Sequence, residues 1–269
     1  MITDWDDAYA NRDHIADADG FPPRWAALSA RFRDMLGARA RIDIPYGEAP
    51  RNRFDLFLPD GAVQGLLVFI HGGYWRAFDK SSWSWLATGP LAHGWAVAMP
   101  SYTLAPGARI SAITAEIGAA IAAAAAEVAG PIRLSGHSAG GHLAARMITT
   151  DSVLPPDMQA RIGPVTPISG VFDLRPLLRT AINDDLHLDE AEARSESPAL
   201  LSPLSGMSVT CWVGAAERPE FVRQNALLAN IWHGLGAKTA VVEDAGRHHF
   251  DVIDDLADPA SPLCTAVLR

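Results

Sequence analysis

The feature that most restricts the fold is a regular alternation of short apolar runs with helix-forming segments between residues 66 and 243. The apolar runs have the length and composition of buried strands, and the segments between them are long enough to be helices. Strands and helices that alternate in this way form βαβ units, so the sequence predicts a mainly parallel sheet with helices on both faces. The predicted strands span residues 66–70, 95–99, 132–135, 165–169, 209–213 and 238–243, and the predicted helices span residues 82–93, 110–129, 142–149 and 221–233.

Two segments ahead of this alternation complete the predicted sheet. Residues 41–44 and 53–58 alternate polar with apolar side chains, as antiparallel strands with one covered face do. The sequence therefore predicts one α/β domain over residues 1–269, built on an eight-stranded, mainly parallel sheet.

Two regions stand outside the predicted sheet. Residues 1–39 are predicted to form an N-terminal helical arm, with a helix over residues 23–36. Residues 173–205 are rich in Asp, Glu and Pro and interrupt the alternation. We predict that this insertion is a small helical cap over a site at the carboxyl edge of the sheet. The alternative is a solvated helical excursion without a role.

Composition excludes several classes of protein. A net charge of −9 repels the phosphate backbone, so we expect no nucleic-acid partner. The acidic N-terminus lacks the basic and apolar regions of a signal peptide, and the longest apolar run, residues 118–126, is far shorter than the roughly 20 residues of a membrane span. The two cysteines do not suggest a disulfide framework. We therefore expect a cytoplasmic protein without a membrane partner.

The most specific motif is Gly136-His-Ser-Ala-Gly140, which follows a predicted strand and precedes a helix. This is the context of a nucleophile elbow, a turn so tight that side chains at the flanking glycine positions would collide. The helix N-terminus beyond the turn offers backbone N–H groups to developing negative charge. Ser138 is therefore the predicted nucleophile.

A second motif, His71-Gly-Gly-Tyr-Trp75, directly follows the predicted strand at residues 66–70. Glycines at this place let the backbone turn its N–H groups toward an oxyanion, while His71 is expected to brace the loop. The predicted oxyanion donors are the backbone N–H groups of Ala139, Gly73 and either Gly72 or Tyr74.

The acid and the base should follow the nucleophile in the order acid, then histidine. Glu217 lies in the loop after the strand at residues 209–213, and Glu220 is its rival, although Glu220 is also well placed to begin the next helix. His249 follows the strand at residues 238–243, with His248 as the competing base. The predicted triad is Ser138, Glu217 and His249, and a neutral imidazole is needed to start the reaction. No cofactor is required, and no set of side chains has convincing metal-ligand spacing.

Four segments together resemble one known family: His71-Gly-Gly-Tyr-Trp75, Gly136-His-Ser-Ala-Gly-Gly-His-Leu143, Pro219-Glu-Phe221 with Gln224, and His249-Phe250. They are similar to the arylformamidase (kynurenine formamidase) branch of the esterase/lipase α/β-hydrolase superfamily. The resemblance implies the α/β-hydrolase fold and hydrolysis of N-formylkynurenine to kynurenine and formate, a step of tryptophan catabolism. It maps the family's triad onto Ser138, Glu217 and His249. Eukaryotic members usually carry aspartate where this chain has Glu217.

The substrate is left open by these residues. Trp75 and Tyr102, with His137 and His248, are the predicted pocket residues, and aromatic walls suit a flat ligand, although the same rings could pack the core. We expect a small-molecule ester or amide substrate, cleaved through an acyl-enzyme. The alternatives are a general carboxylesterase, lipase or thioesterase, a peptidase or acyltransferase on the same fold, and a non-catalytic ligand-binding protein. A homodimer is compatible with the arm, and the sequence does not decide it.

Overall fold

One eight-stranded sheet organises the computed structural model, which describes residues 2–269. The strand order is β1-β2-β4-β3-β5-β6-β7-β8. Strand β2 pairs antiparallel with β1 and β4, and every other pairing is parallel, so the predicted mainly parallel sheet with an antiparallel edge is confirmed. The strands are β1 Ala40–Pro45, β2 Arg53–Phe57, β3 Gly65–Ile70, β4 Trp95–Pro100, β5 Ile132–His137, β6 Ile162–Ile168, β7 Ser208–Gly214 and β8 Lys238–Asp244.

Helices lie on both faces of this sheet. Along residues 2–269 the α-helices are α1 Trp5–Tyr9, α2 Phe21–Leu36, α3 Thr88–Ala92, α4 Ile110–Glu127, α5 Ala139–Arg146, α6 Pro156–Gln159, α7 Asn183–Leu186, α8 Glu190–Ser195, α9 Pro219–Gly234 and α10 Pro262–Leu268. Short 3₁₀ helices span Arg12–His14, Ala18–Gly20, Gly37–Arg39, Lys80–Ser82, Ser84–Ala87, Arg175–Arg179, Pro198–Leu200 and Asp254–Ala257.

The two faces form two separate hydrophobic cores, as the pleat of a strand requires. In β3, Leu66, Val68 and Ile70 join the core beneath α4, α5 and α9. Leu67 and Phe69 join the opposite core, beneath α2 and α10. Because successive side chains of a strand point to opposite faces, a strand covered on both sides is apolar throughout, as this one is.

Helix α4, Ile110–Glu127, is long and apolar enough to cross a membrane by length and composition. Half of that stretch is buried in the fold, and its row of Ile113, Ile117 and Ile121 is fully covered by the sheet. The apolar composition of α4 is therefore explained by its packing in the core.

The prediction of one continuous helix over residues 82–93 is wrong. The structure has two short 3₁₀ turns there, followed by α3 Thr88–Ala92. Pro90 lies in the first turn of α3, where a missing N–H costs nothing. A helix begun at residue 82 would place Pro90 in its interior, where the ring collides with the preceding turn and a backbone hydrogen bond is lost.

The insertion at residues 173–205 consists of short helices attached to the beginning of α4. The Glu192 carboxylate accepts hydrogen bonds from the Ser111 backbone N–H at 3.0 Å and from the Ser111 hydroxyl at 2.7 Å. Glu196 accepts a hydrogen bond from the Thr114 hydroxyl at 2.7 Å. These contacts attach the insertion to α4; its role as a cap stays a prediction.

Candidate active site

The turn after β5 has the geometry of a nucleophile elbow. Ser138 has φ 55° and ψ −118°, a conformation that L-residues rarely adopt. A Cβ on Gly136 would collide with the Gly140 carbonyl oxygen, and a Cβ on Gly140 would collide with that of Ile70. The motif therefore requires glycine on both sides of Ser138. Helix α5 begins at Ala139, so the N–H groups of its first turn lie beside the serine.

The loop after β3 lies directly against this elbow. A Cβ on Gly72 would be 3.0 Å from the Ser138 Cβ and 2.7 Å from the His137 carbonyl oxygen. Gly73 and Tyr74 both have positive φ, 109° and 48°, which turns the backbone sharply beside the serine. The structure thus brings the predicted oxyanion segment next to the predicted nucleophile.

Buried hydrogen bonds hold this loop. The Tyr102 hydroxyl donates to the His71 carbonyl oxygen at 3.0 Å, and the two rings stack at 4.3 Å. The Tyr74 hydroxyl donates to the Tyr9 carbonyl oxygen at 2.6 Å. Burial lowers the pKa of His71 to about 4, so its imidazole is neutral at neutral pH. These contacts make His71 a brace of the loop, as its position in the sequence suggested.

Glu217 and His249 form a buried pair. His249 Nδ1 lies 2.6 Å from Glu217 Oε2, and the two side chains are 5% and 0% exposed. Glu217 follows the end of β7 and His249 follows the end of β8, so neighbouring parallel strands deliver the two groups to one edge of the sheet. The His249 ring is confined by the His137 ring at 4.5 Å and the Phe221 ring at 4.7 Å.

The rival acid and the rival base have other partners. The Glu220 carboxylate accepts hydrogen bonds from Arg223 at 2.6 and 2.7 Å and from the Tyr9 hydroxyl at 2.8 Å. His248 Nδ1 lies 3.2 Å from Asp251 Oδ1. Neither arrangement connects the side chain to the elbow.

Ser138 and His249 line the same cavity, which has a volume of about 440 Å³. Both residues belong to the part of the chain that the structure describes, and no hydrogen bond joins their side chains there. Hydrogen bonds between nucleophile and base are often long before substrate binds, and they tighten in the reactive complex.

Aromatic rings form one side of this cavity. Trp25 from α2 packs against Trp83 with ring centroids 4.7 Å apart, and it also contacts Phe78 and Phe250 at 5.9 and 5.4 Å. All four rings line the cavity. The wall is therefore apolar and aromatic, as the linings of small-molecule sites commonly are.

The N-terminal arm also lines the cavity. Besides Trp25, it contributes Asp6, Tyr9, Ala10, Asn11, Arg12 and Asp13. Within residues 2–269, Ile182 is the single lining residue from the insertion at residues 173–205. The arm, rather than the insertion, supplies most of the cover over the cavity.

Tyr9 attaches the arm to the rest of the fold. Its hydroxyl donates to Glu220 and accepts a hydrogen bond from Gln224 Nε2 at 3.0 Å. Gln224 Oε1 in turn accepts the backbone N–H groups of Phe172 and Asp173 at 2.9 and 2.8 Å. Helix α9 therefore fixes both the arm and the start of the insertion through one glutamine.

The predicted pocket residues are placed differently from one another. His137 lines the cavity. Trp75 is fully buried against the His142 ring at 5.1 Å, Tyr102 is fully buried against His71, and the His248 ring packs against Phe21 at 5.3 Å. These three side chains point into the protein or toward its outer surface, so they do not line the cavity that the structure describes.

Several lining residues were not found from the sequence. Phe78 and Phe250 come from two distant segments, and Tyr9, Asn11 and Trp25 come from the arm. A local signal existed only for Phe250, which directly follows His249. Among residues 2–269, no group of three or more His, Cys, Asp or Glu side chains is arranged to hold a metal ion.

Solved structures share this fold. A protein from Silicibacter sp. is 52% identical, with 99% of each chain covered and a TM-score of 0.95. That protein is described as a candidate thioesterase. An esterase from Pyrobaculum calidifontis is 17% identical, with 94% of this chain and 92% of that chain covered and a TM-score of 0.69. The fold and these likenesses define a hydrolase of the α/β-hydrolase class.

Sequence relatives narrow this class. Residues 54–180 match the BD-FAE family. The kynurenine formamidase of Danio rerio is 30% identical over 91% of this chain and 86% of its own length, and that of Drosophila melanogaster is 28% identical over 81% and 74%. The chain belongs to the kynurenine formamidase family, as its motifs suggested.

Proposed function

We propose that this protein is a serine hydrolase that cleaves an aryl formamide or a small-acyl ester through an acyl-enzyme. Ser138 is the nucleophile, His249 the general base and acid, and Glu217 the acid that orients His249. The observation that carries the proposal is the Glu217–His249 pair at 2.6 Å, whose imidazole lines the same cavity as a serine on a strained elbow. The chemistry of each group then follows from its position.

In the first half of the reaction, His249 Nε2 takes the Ser138 hydroxyl proton while the serine oxygen attacks the carbonyl carbon. The oxyanion accepts hydrogen bonds from the backbone N–H groups of Ala139, Gly73 and either Gly72 or Tyr74. The tetrahedral intermediate then expels the amine or alcohol, which receives its proton from His249. An acyl group remains bonded to Ser138.

In the second half, His249 takes a proton from water and the resulting hydroxide attacks the acyl carbon. The serine leaves and recovers its proton from His249, and a carboxylic acid is released. Glu217 stabilises the imidazolium in both halves through the Nδ1 hydrogen bond. No step requires a metal ion or an organic cofactor.

The cavity supports an aromatic substrate with a small acyl group. Its volume of about 440 Å³ lies in the range of small-molecule sites, and its aromatic side offers Trp25, Phe78, Trp83 and Phe250 to a planar ring. The names of the curated relatives add the specific candidate, N-formylkynurenine, with formate and kynurenine as products. The description of the Silicibacter structure favours a thioester as the second candidate substrate.

A comparison of rates tests the substrate. N-formylkynurenine, p-nitrophenyl acetate, longer-chain p-nitrophenyl esters and an acyl thioester would be measured with the same enzyme preparation. We expect a specificity constant of about 10⁵ M⁻¹s⁻¹ or above for the formamide and much lower values for the others. A high value for the thioester alone would transfer the assignment to a thioesterase, and equal, poor values throughout would leave only a general esterase.

A further inference from the structure

Ser169 is a buried residue that the reaction described above does not use. It directly follows β6, is 0% exposed and has φ 51°. Its hydroxyl donates a hydrogen bond to Glu217 Oε1. The backbone N–H of Ser169 donates to the Trp212 carbonyl oxygen at 2.7 Å, which fixes the residue between β6 and β7.

The Ser169 hydroxyl is one of two donors to the same carboxylate oxygen. The backbone N–H of Gly214 donates to Glu217 Oε1 at 2.9 Å, while Oε2 lies 2.6 Å from His249 Nδ1. Two donors on one oxygen define which oxygen faces the imidazole and in which plane the carboxylate lies. A glutamate needs this restraint more than an aspartate, because its side chain has one more rotatable bond.

The backbone of Ser169 has a strained conformation, and the same residue makes the hydrogen bond to Glu217. Residues other than glycine rarely have positive φ, and those that do persist where their surroundings over-determine them, often at functional sites. Ser169 keeps this conformation at the end of a buried strand, beside the loop that carries Glu217. The conformation brings the hydroxyl to the carboxylate.

We propose that Ser169 is a positioning residue of the active site, which holds the Glu217 carboxylate in the orientation that His249 requires and stabilises its negative charge. The proposal rests on the roles of Glu217 and His249 given above. It extends the catalytic machinery to the end of β6, a strand to which no site residue had been assigned.

His137 and Tyr74 both interact with the Glu217–His249 pair, and both are neutral near neutral pH. Burial lowers the pKa of His137 well below its ordinary value. Burial, followed by the charge of Glu217, raises the pKa of Tyr74. Neither group therefore changes charge near neutral pH.

Loss of the Ser169 hydroxyl should change proton uptake by the Glu217–His249 pair in a defined direction. A buried carboxylate with one donor fewer binds a proton more readily. The same loss leaves more negative charge facing the imidazole, which favours the imidazolium ion. While the Gly214 N–H still holds the carboxylate, both effects raise the pH at which the pair takes up a proton.

The experiment follows the titration of His249 directly, by ¹H–¹⁵N NMR of protein labelled in its histidines. The His249 signal is assigned by its loss in His249→Gln. The test variants are Ser169→Ala and Ser169→Gly, and glycine accepts the positive φ that strains alanine. The matched control is Ser135→Ala, which removes a fully buried serine hydroxyl on β5 that donates to the Thr166 carbonyl oxygen at 2.6 Å.

A midpoint that rises in both Ser169 variants and stays in place in Ser135→Ala supports the proposal. A midpoint that is unmoved in the Ser169 variants overturns it, as does a shift in Ser169→Ala alone, which would assign the effect to backbone strain. An equal shift in Ser135→Ala also overturns it. The readout needs no substrate, so failure of every ester and formamide to react would count against the proposed function and not against this role.

Kinetics give the second measurement. At a pH above the titration, we expect kcat/KM of Ser169→Ala to fall about 10-fold, since the base is less well oriented. In a Glu217→Ala background, Ser169→Ala should then have no further effect, because the serine acts only through that carboxylate. Equal fold losses in both backgrounds would show a merely structural role.

Discussion

The two sides of the active-site cavity are held in place by different interactions. On one side, Ser138, Glu217 and His249 follow the carboxyl ends of β5, β7 and β8, where backbone pairing and close glycine contacts fix their positions. On the other side, residues 6–13 of the arm depend on side-chain hydrogen bonds around Tyr9. The proposed catalytic groups thus lie at the ends of paired strands, while the arm is held beside the cavity by a few polar contacts.

This difference predicts that chemistry and substrate binding can be damaged separately. Substitutions at the strand ends should lower turnover of every substrate. Substitutions in the arm should act on substrate affinity, and more strongly for substrates that fill the cavity.

The largest effect is expected for the nucleophile. Ser138→Ala should lower kcat by about 10⁵-fold or more, because the covalent step is removed. His249→Ala should cost a similar factor, and the double variant little more, since the two side chains act as a unit. Labelling with a serine-directed phosphonate checks the assignment independently: labelling that survives in Ser138→Ala would identify another nucleophile.

The next effect separates the two glutamates. Glu217→Gln should lower kcat by about 10³- to 10⁴-fold, because an amide cannot stabilise the imidazolium as the carboxylate does. Glu220→Gln should change kcat less than 10-fold, since this carboxylate bonds Arg223 and Tyr9 instead of the base. If Glu220→Gln proves the more damaging of the two, the acid has been assigned to the wrong residue.

A smaller effect is expected on the arm. Tyr9→Phe removes the hydroxyl that joins the arm to α9, so KM for an aromatic substrate should rise several-fold while kcat changes little. The unfolding free energy should fall by about 1–3 kcal/mol, because buried Glu220 loses a donor.

The matched control for this variant is Tyr46→Phe, which also removes a tyrosine hydroxyl that donates a hydrogen bond; its acceptor is the Ser101 carbonyl oxygen, at 2.5 Å. Tyr46 does not line the cavity described by the structure, so KM should be unaffected. A Tyr9→Phe enzyme whose loss is confined to kcat would mean that the arm supports the reaction and not substrate binding.

The last prediction concerns the pH dependence of stability and has no direct effect on turnover. Burial lowers the pKa of His71 to about 4 and that of His142 to about 3. Each imidazole takes up a proton near pH 6.5 in the unfolded chain. The unfolded state therefore binds more protons below that pH, and stability falls as the pH drops from about 6.5 toward 4, by at most about 1.4 kcal/mol per pH unit for each histidine.

Denaturant titrations across this pH range measure the slope of the unfolding free energy against pH. His142→Gln should reduce it, and His233→Gln, at an exposed position in the last turn of α9, should leave it unchanged. Equal slopes in all three proteins would show that burial of His142 does not control the acid sensitivity.

The residues at the strand ends were predictable because the sequence patterns that mark them are local. An apolar run, a glycine turn and a helix mark the elbow at Ser138 within a dozen residues, and the motif alone restricts its backbone. The order of acid and base along the chain then limited the remaining choices to neighbouring residues. The resemblance to the kynurenine formamidase family added the fold and the substrate candidate.

The arm was not predictable from comparable signals. Tyr9 bonds Glu220, 211 residues away, and nothing in either segment alone indicates this partner. The aromatic wall likewise joins Trp25 to Phe78 and Phe250, which meet only after the sheet has formed. The sequence predicts Ser169 only as the end of a strand, since positive φ at a serine has no sequence pattern of its own.

The bond between the Tyr74 hydroxyl and the Tyr9 carbonyl oxygen has a practical consequence for engineering. It uses a main-chain acceptor, so the identity of the side chain at position 9 does not by itself abolish it. Libraries that exchange the first twenty residues as one cassette could therefore retain this tether while they vary the shape that ligands meet. A designer could in this way select for new ester or amide substrates without altering any codon downstream of the cassette.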